Sequence, residues 1–198
     1  QVVVRERRGA GQRALGQFRG LAHKGDPRRR SPPAIIAAVT NRAGSITGAL
    51  RIYLDPYEVD KASIEFPRLS MGNVLGNGIR IGVADDVMAA GEGLETMLAL
   101  RSLMPLMPMV AATSASHLGA LELPSSLKRL YIAVENDPAG MTAAERLAFR
   151  HLDSNINITL LQPIYDDWNS DLQKLGYAFC LSRLREQDTM LTPFMKTS

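Results

Sequence analysis

The sequence has almost no cysteine, few aromatic residues and no long apolar segment, and these shortages exclude several classes of protein. Cys180 is the only cysteine in 198 residues, so the chain has no internal disulfide framework and no cysteine-based zinc site. No apolar run approaches the roughly 18 residues that span a bilayer. The N-terminal residues lack the apolar core of a signal peptide. We therefore predict a cytoplasmic location and no membrane partner.

The composition is otherwise that of a globular protein. It is 45% hydrophobic and 22% charged, which provides enough apolar material for a core. A length of 198 residues allows one good-sized domain, or one domain with a small satellite. Because the sequence starts at Gln1 rather than at methionine, we expect it to be part of a longer protein.

Positive charge is concentrated at the start of the chain. Residues 1–30 hold nine basic and two acidic side chains, a formal charge of +7 in a chain whose total is +3. Such a segment suits a phosphate backbone, because neutralising phosphates releases counterions. A solubilising arm explains the same charge equally well. Glycine and arginine without periodicity predict a partly irregular basic arm over residues 1–30, with a short helix near residues 13–18.

Residues 31–84 have the pattern of a small antiparallel β subdomain. Apolar runs at residues 34–40 and 46–54 flank a turn at residues 41–45, which predicts a hairpin. The following stretch is rich in turns and ends in a short strand at residues 79–81.

Residues 85–178 alternate between strand and helix patterns, which predicts an α/β core of about four mostly parallel strands flanked by helices. The helix patterns begin near Leu94, at Pro138 and near Leu172. Residues 179–198 are predicted to be the end of the last helix and a tail. The predicted strands are residues 87–90, 109–113, 130–134 and 156–161.

Two acidic turns follow strands of this core. Glu92 lies between two glycines after the first strand, and Glu135 and Asp137 follow the third. The carboxyl ends of parallel strands converge on one crevice, where ligands bind. The three carboxylates are therefore candidates to meet there and hold a hard divalent cation.

Two of these three acidic residues also have a purely structural explanation. Glu92 is placed favourably at the N-terminus of a helix. Asp137 precedes Pro138, as an N-cap residue does before proline at the first helical position. Asp167 and Asp171 flank Trp168 and are open to the same capping explanation, and Trp168 itself is expected to be a packing anchor.

The order of these motifs resembles the Toprim domain of primases and topoisomerases, and most closely the primase type of phages, plasmids and integrative elements. The resemblance rests on Glu92-Gly93 and on the acid-x-acid-x-x-Gly turn that runs from Glu135 to Gly140. It extends over roughly residues 31–175 through residues 34–40, residues 51–56, Lys61-Ala62 and Asp167-Trp168-Asn169.

The resemblance implies roles for particular residues. Glu92 would be the catalytic acid–base or a ligand, and Glu135, Asp137 and, as a further candidate, Asp167 would bind Mg²⁺ or Mn²⁺. The family usually has Asp where this chain has Glu135, which adds a methylene and moves the carboxylate by about 1.5 Å. Basic residues at three further positions would face nucleic acid or nucleotide, although solvated surface charge explains each of them as well: Arg51, Lys61 and Arg80.

Three functions remain open from the sequence. The first is Mg²⁺-dependent nucleotidyl transfer, in which a primase-like protein of a mobile element makes primers on single-stranded DNA from nucleoside triphosphates. Zinc-binding and helicase modules would then accompany it in the same protein or in trans. The second is strand cleavage, as in topoisomerases and Toprim nucleases. The third is a nucleic-acid-binding module of a mobilisation or replication protein whose metal site is weakened by Glu135.

Overall fold

The structure, a computed structural model, describes residues 15–18, 32–58 and 60–195. It divides into two compact units, Gln1–Val74 and Leu75–Ser198. Most of the predicted basic arm lies outside the described residues.

The first unit contains a four-stranded antiparallel sheet in the order β1-β2-β3-β4. The hairpin predicted from the sequence is present, with Ala34 opposite Tyr53 in the β2–β3 register. Ala34, Tyr53 and Ala62 form a small buried cluster. The strands are β1 (Leu15–Phe18), β2 (Ala34–Thr40), β3 (Ile46–Tyr53) and β4 (Arg68–Gly72).

The prediction of a short helix near residues 13–18 is wrong. Residues Leu15–Phe18 form β1, which pairs antiparallel with β2. The four residues bond to the backbone of a strand about 20 positions later in the chain, and this long-range pairing overrides local propensity.

The second unit is a five-stranded sheet with helices. Its strands are β5 (Ile79–Ile81), β6 (Val87–Gly91), β7 (Met109–Ala111), β8 (Arg129–Ala133) and β9 (Asn157–Leu161). Its helices are α1 (Leu94–Leu103), α2 (Ala115–Ala120), α3 (Pro138–Phe149), α4 (Trp168–Leu175) and α5 (Tyr177–Gln187), and a 3-10 helix follows at Thr189–Phe194.

The sheet has the order β5-β7-β6-β8-β9, in which β6 to β9 are parallel and β5 is an antiparallel edge strand. Successive residues of β6 face opposite sides, as strand geometry requires. Met88 and Ala90 join the apolar cluster that includes α2 and α3, whereas Gly91 faces Met97 of α1. The predicted fold class, a parallel α/β core with a small antiparallel sheet before it, is confirmed.

Three details of the second unit differ from the sequence expectations. The strand at residues 79–81 was assigned to the antiparallel subdomain, but β5 pairs with β7 in the larger sheet. Helix α2 was not predicted, because six residues are too few to show helical periodicity. The predicted tail contains the 3-10 helix, which is fixed by burial of Leu191 and by the bond from Tyr131 Oη to Asp188 Oδ2 (3.0 Å). The other domain boundaries stay predictions.

The lone cysteine is a core residue. Cys180 is buried in α5, and burial raises the pKa of its thiol, which disfavours the reactive thiolate. Within the described ranges, no helix is long and apolar enough to cross a membrane.

Candidate functional site

The strand order creates a crevice between β6 and β8. From β6 the chain crosses to β7, which lies on one side of β6, and then to β8, which lies on the other side of β6. This reversal is the topological switch point at which open α/β sheets bind ligands. In the β6–β8 register Gly91 lies opposite Ala133, so the turn of Glu92 and the turn of Glu135 leave the sheet side by side.

The turn of Glu92 is fixed through its backbone. Its carbonyl oxygen accepts a hydrogen bond from the Thr113 amide after β7 (2.8 Å), and Glu92 is half-buried. Thr113 has a φ of +81°, a left-handed conformation that costs a β-branched residue about 1–3 kcal/mol. Its hydroxyl lies 2.9 Å from His117 Nδ1. The end of β7 is therefore held in a strained conformation that ties it to the Glu92 turn.

Glycine at position 91 allows close packing between β6 and α1. A Cβ placed there would lie 2.5 Å from Met97 Sδ and 3.2 Å from Ala133 Cβ. Helix α1 consequently approaches β6 closely just before Glu92, and Gly93 begins the helix as its N-cap.

Thr96 connects two acidic side chains across the crevice. Its hydroxyl lies 3.5 Å from Glu135 Oε1 and 3.3 Å from Asp167 Oδ2, and its side chain is only 1% exposed. The backbone joins the same two turns, because the Asn136 amide donates to the Asp166 carbonyl at 2.7 Å. The structure thus brings together Glu135 and Asp167, two of the residues predicted from the sequence.

Asp137 and Asp167 both cap helices. Asp137 Oδ1 accepts from the Gly140 amide (2.7 Å) at the start of α3, and Asp167 Oδ1 accepts from the Ser170 amide (2.6 Å) at the start of α4. The capping explanation therefore holds for both. Each cap engages Oδ1 and lies at the carboxyl edge of the sheet, so a cap does not exclude a second role for Oδ2.

Asp171 has a different structural role from Asp167. It is 1% exposed and accepts hydrogen bonds from the amides of Ile164 (2.8 Å) and Tyr165 (2.7 Å). Trp168 is fully buried and donates from Nε1 to the Leu161 carbonyl at 3.1 Å, which makes it the packing anchor expected from the sequence. Together they fix the loop that carries Asp167.

The presence of glycine at the end of the acid-x-acid-x-x-Gly turn has a steric explanation. A Cβ on Gly140 would lie 2.6 Å from the carbonyl oxygen of Glu135 and 2.8 Å from its Cβ. Real Cβ atoms do not come this close to backbone. The first turn of α3 therefore packs directly on Glu135 and sets where this residue leaves the sheet.

The predicted cluster of three carboxylates is not assembled. Among the residues that the structure describes, no group of three or more His, Cys, Asp or Glu side chains is arranged to hold a metal ion. Glu135 and Asp167 do offer hard oxygen donors, and both carboxylates lie close to the Thr96 hydroxyl. Mg²⁺ is commonly bound by one or two carboxylates, with waters and substrate phosphates completing the octahedron. The donor set fits that mode of binding.

The basic candidates are spread over both units. Arg51 lies on β3, where its Nη1 donates to Tyr53 Oη at 2.9 Å and its guanidinium stacks over the same ring. Lys61 is exposed and forms an isolated bridge with Leu54. Arg80 lies on β5 opposite Val110, two strands away from β6. Their roles remain predictions.

The sequence analysis missed Thr96, and it left Thr113 and His117 without a role. No local signal indicated Thr96, because its contacts are with residues 39 and 71 positions later in the chain. Nothing local indicated the left-handed backbone of Thr113.

An open α/β sheet with acidic turns at its switch point belongs to the class of folds that bind ligands in the crevice at the carboxyl ends of the strands. Comparison with known families narrows this class. The family model of the Toprim domain matches residues 87–178, and a second model, described as a domain of unknown function (DUF7146), matches residues 5–81. Residues 87–178 are therefore a Toprim domain.

Solved structures with the same fold are primase domains. The primase fragment of the bacteriophage T7 primase-helicase protein has a TM-score of 0.58 at 16% identity, over 79% of this chain and 62% of that one. A DNA primase domain from Pseudomonas aeruginosa has a TM-score of 0.54 at 18% identity, over 84% and 56%. The DnaG primase catalytic domain bound to ssDNA has a TM-score of 0.53 at 16% identity, over 77% and 51%.

These likenesses establish the fold. The chain spans 62% of the T7 fragment and 56% of the Pseudomonas domain. Comparison with curated proteins gives no match.

Proposed function

We propose that the chain is the catalytic part of a primase-like protein of a mobile element, which joins nucleotides into primers with the help of Mg²⁺ or Mn²⁺. This proposal is supported most by the positions of Glu92 and Glu135, which follow two adjacent parallel strands at the switch point. The family and the fold of the compared structures agree with it.

Glu92 is the proposed acid–base. It lies at the mouth of the crevice on a turn fixed by the Thr113 amide. A carboxylate there accepts the proton of an attacking 3′-hydroxyl, a contribution typical of general base catalysis.

Glu135, Asp137 and Asp167 are the proposed cation ligands. Glu135 and Asp167 already face one point, and Asp137 has Oδ2 beyond its cap. The bound cation supplies charge neutralisation and orientation for the triphosphate. The protein keeps these carboxylates in place through two helix caps and the Asn136–Asp166 backbone bond.

The proposed partners are a single-stranded DNA template and nucleoside triphosphates. Arg51, Lys61 and Arg80 are the candidate contacts to them. One compared structure is a primase-helicase protein and another holds ssDNA, so we extend the proposal to a helicase module acting with this chain. A zinc-binding module would also have to come from another part of the protein or from a partner, because Cys180 is the only cysteine.

A second function is favoured by one observation. Glu135 stands where the family usually has Asp, and the extra methylene moves its carboxylate by about 1.5 Å. This longer side chain suits a nucleic-acid-binding module with a weakened metal site. Strand cleavage, the third possibility, has no observation of its own in this structure.

Asp137→Asn separates the first two functions. Asparagine caps helices as well as aspartate, so α3 should keep its stability. The variant loses one ligand charge, and we expect Mg²⁺ affinity to fall about tenfold or more, equivalent to at least about 1.4 kcal/mol. Isothermal titration with Mg²⁺ and circular dichroism would measure the two effects.

The matched control is Asp153→Asn, an exposed residue in the turn that leads into the opposite end of β9. It should leave Mg²⁺ affinity unchanged. Equal affinity in Asp137→Asn and the unmodified chain, together with DNA binding that ignores Mg²⁺, would favour the binding module.

A further inference from the structure

The hydroxyl of Thr96 is buried at the crevice and lies close to side chains from two separate loops. Thr96 lies on α1, four residues after Glu92, and its neighbours are Glu135 after β8 and Asp167 after β9. At 1% exposure the hydroxyl is removed from bulk water. A buried hydroxyl requires hydrogen-bond partners, and here two carboxylates provide them.

A threonine hydroxyl has one proton, so it donates to one carboxylate at a time. The distances of 3.3 Å to Asp167 Oδ2 and 3.5 Å to Glu135 Oε1 are longer than the usual 2.7–2.8 Å of an O–H···O bond. The hydroxyl therefore makes a long contact to each carboxylate rather than one short bond to either. An ionised carboxylate has about four acceptor positions, more than one contact with Thr96 uses.

Asp167 shows the effect of this contact most clearly. Its Oδ1 is fixed by the Ser170 amide and its Oδ2 faces Thr96, so the protein sets the plane of the whole carboxylate. Glu135 is constrained by Gly140 at its backbone and by Thr96 at its carboxylate end.

We propose that Thr96 is a positioning residue, which holds Glu135 and Asp167 in the orientation in which they bind the divalent cation. This inference rests on the proposed function for the existence of the cation. Groups that hydrogen-bond to metal ligands typically contribute about 10–100-fold to metal affinity. Thr96 itself would contact neither the cation nor the substrate.

The experiment compares Thr96→Val, which keeps the shape and removes the hydroxyl, with Thr96→Ser, which keeps the hydroxyl. Mg²⁺ affinity is measured by isothermal titration, and Mn²⁺ binding by electron paramagnetic resonance. We expect Thr96→Val to bind both ions about 10–100-fold more weakly. Thr96→Ser should restore binding to within about threefold of the unmodified chain, about 0.7 kcal/mol.

Thr142→Val is the matched control. Thr142 is the fifth residue of α3, and its hydroxyl donates to the Pro138 carbonyl at 2.7 Å. This control should not change cation affinity. Melting in EDTA reports the fold of each variant, and Thr96→Ala replaces Thr96→Val should the valine variant not fold.

The outcomes separate the two proposals. If the unmodified chain binds Mg²⁺ and Thr96→Val binds it equally well, the role of Thr96 is refuted while the proposed function stands. If the unmodified chain binds neither ion, both fail. A loss that serine does not restore would show that Thr96 acts only through packing, which also refutes the proposal.

Discussion

Replacing Glu92 by glutamine should lower the rate of primer synthesis by about 10²–10⁴-fold, the usual contribution of a general acid–base. Glutamine keeps the size of the side chain and removes its ability to accept a proton. The backbone of the turn is held by the Thr113 amide and by the glycine packing at position 91, neither of which involves the carboxylate. The variant should therefore fold like the unmodified chain.

The pH dependence of the rate distinguishes this role from metal binding. A general base acts in its deprotonated form, so the unmodified rate should fall as pH drops below the pKa of the base, and this dependence should disappear in Glu92→Gln. Mg²⁺ affinity should stay close to that of the unmodified chain. Primer synthesis is assayed with the full-length natural protein that carries this domain. Single-stranded DNA is the template, and nucleoside triphosphates are the substrates.

Glu145→Gln is the matched control, since Glu145 is exposed on α3. It should synthesise primers at the unmodified rate. Should Glu92→Gln lose Mg²⁺ affinity as strongly as Asp137→Asn, Glu92 is a ligand rather than the base. A rate within about twofold of the unmodified protein would remove Glu92 from the mechanism, because such a change corresponds to only about 0.4 kcal/mol.

The sequence was informative wherever a residue acts through its near neighbours. The cap at Asp137 with Pro138 after it was predictable from two adjacent residues, and the structure shows both the cap bond and the helix. The strands of the parallel sheet were predictable because short apolar runs alternate with helix patterns. The separation of α4 from α5 also has a local cause, because Gly176 between them has a φ of +82°, which a continuous helix does not allow.

What escaped the sequence depends on contacts between distant segments. Strand β5 is too short to indicate which sheet it joins, and only its pairing with β7 decides this. The role of Thr96 depends on residues 39 and 71 positions later in the chain. The convergence of Glu92, Glu135 and Asp137 was argued from strand order alone, and strand order fixes which turns are adjacent but not how each side chain is directed.

The motif glycine at position 140 leads to a second large effect, on stability as well as on the site. Alanine is normally favoured over glycine inside a helix by about 1 kcal/mol. At position 140 its Cβ would meet the Glu135 backbone at 2.6 Å, and a backbone atom cannot move aside as the end of a side chain can. Overpacking of this kind costs about 1–3 kcal/mol, so the clash outweighs the gain in helix propensity.

We therefore expect Gly140→Ala to unfold at lower denaturant concentration, with a free energy of unfolding lower by up to about 2 kcal/mol once the gain in helix propensity is subtracted. Mg²⁺ affinity should fall as well, because Glu135 has to move. The matched control is Gly119→Ala in α2, where the added Cβ would meet the flexible Arg146 side chain at 2.9 Å. That side chain can yield, so Gly119→Ala should keep both stability and Mg²⁺ affinity. A Gly140→Ala variant as stable as the unmodified chain would show that the first turn of α3 does not set the position of Glu135.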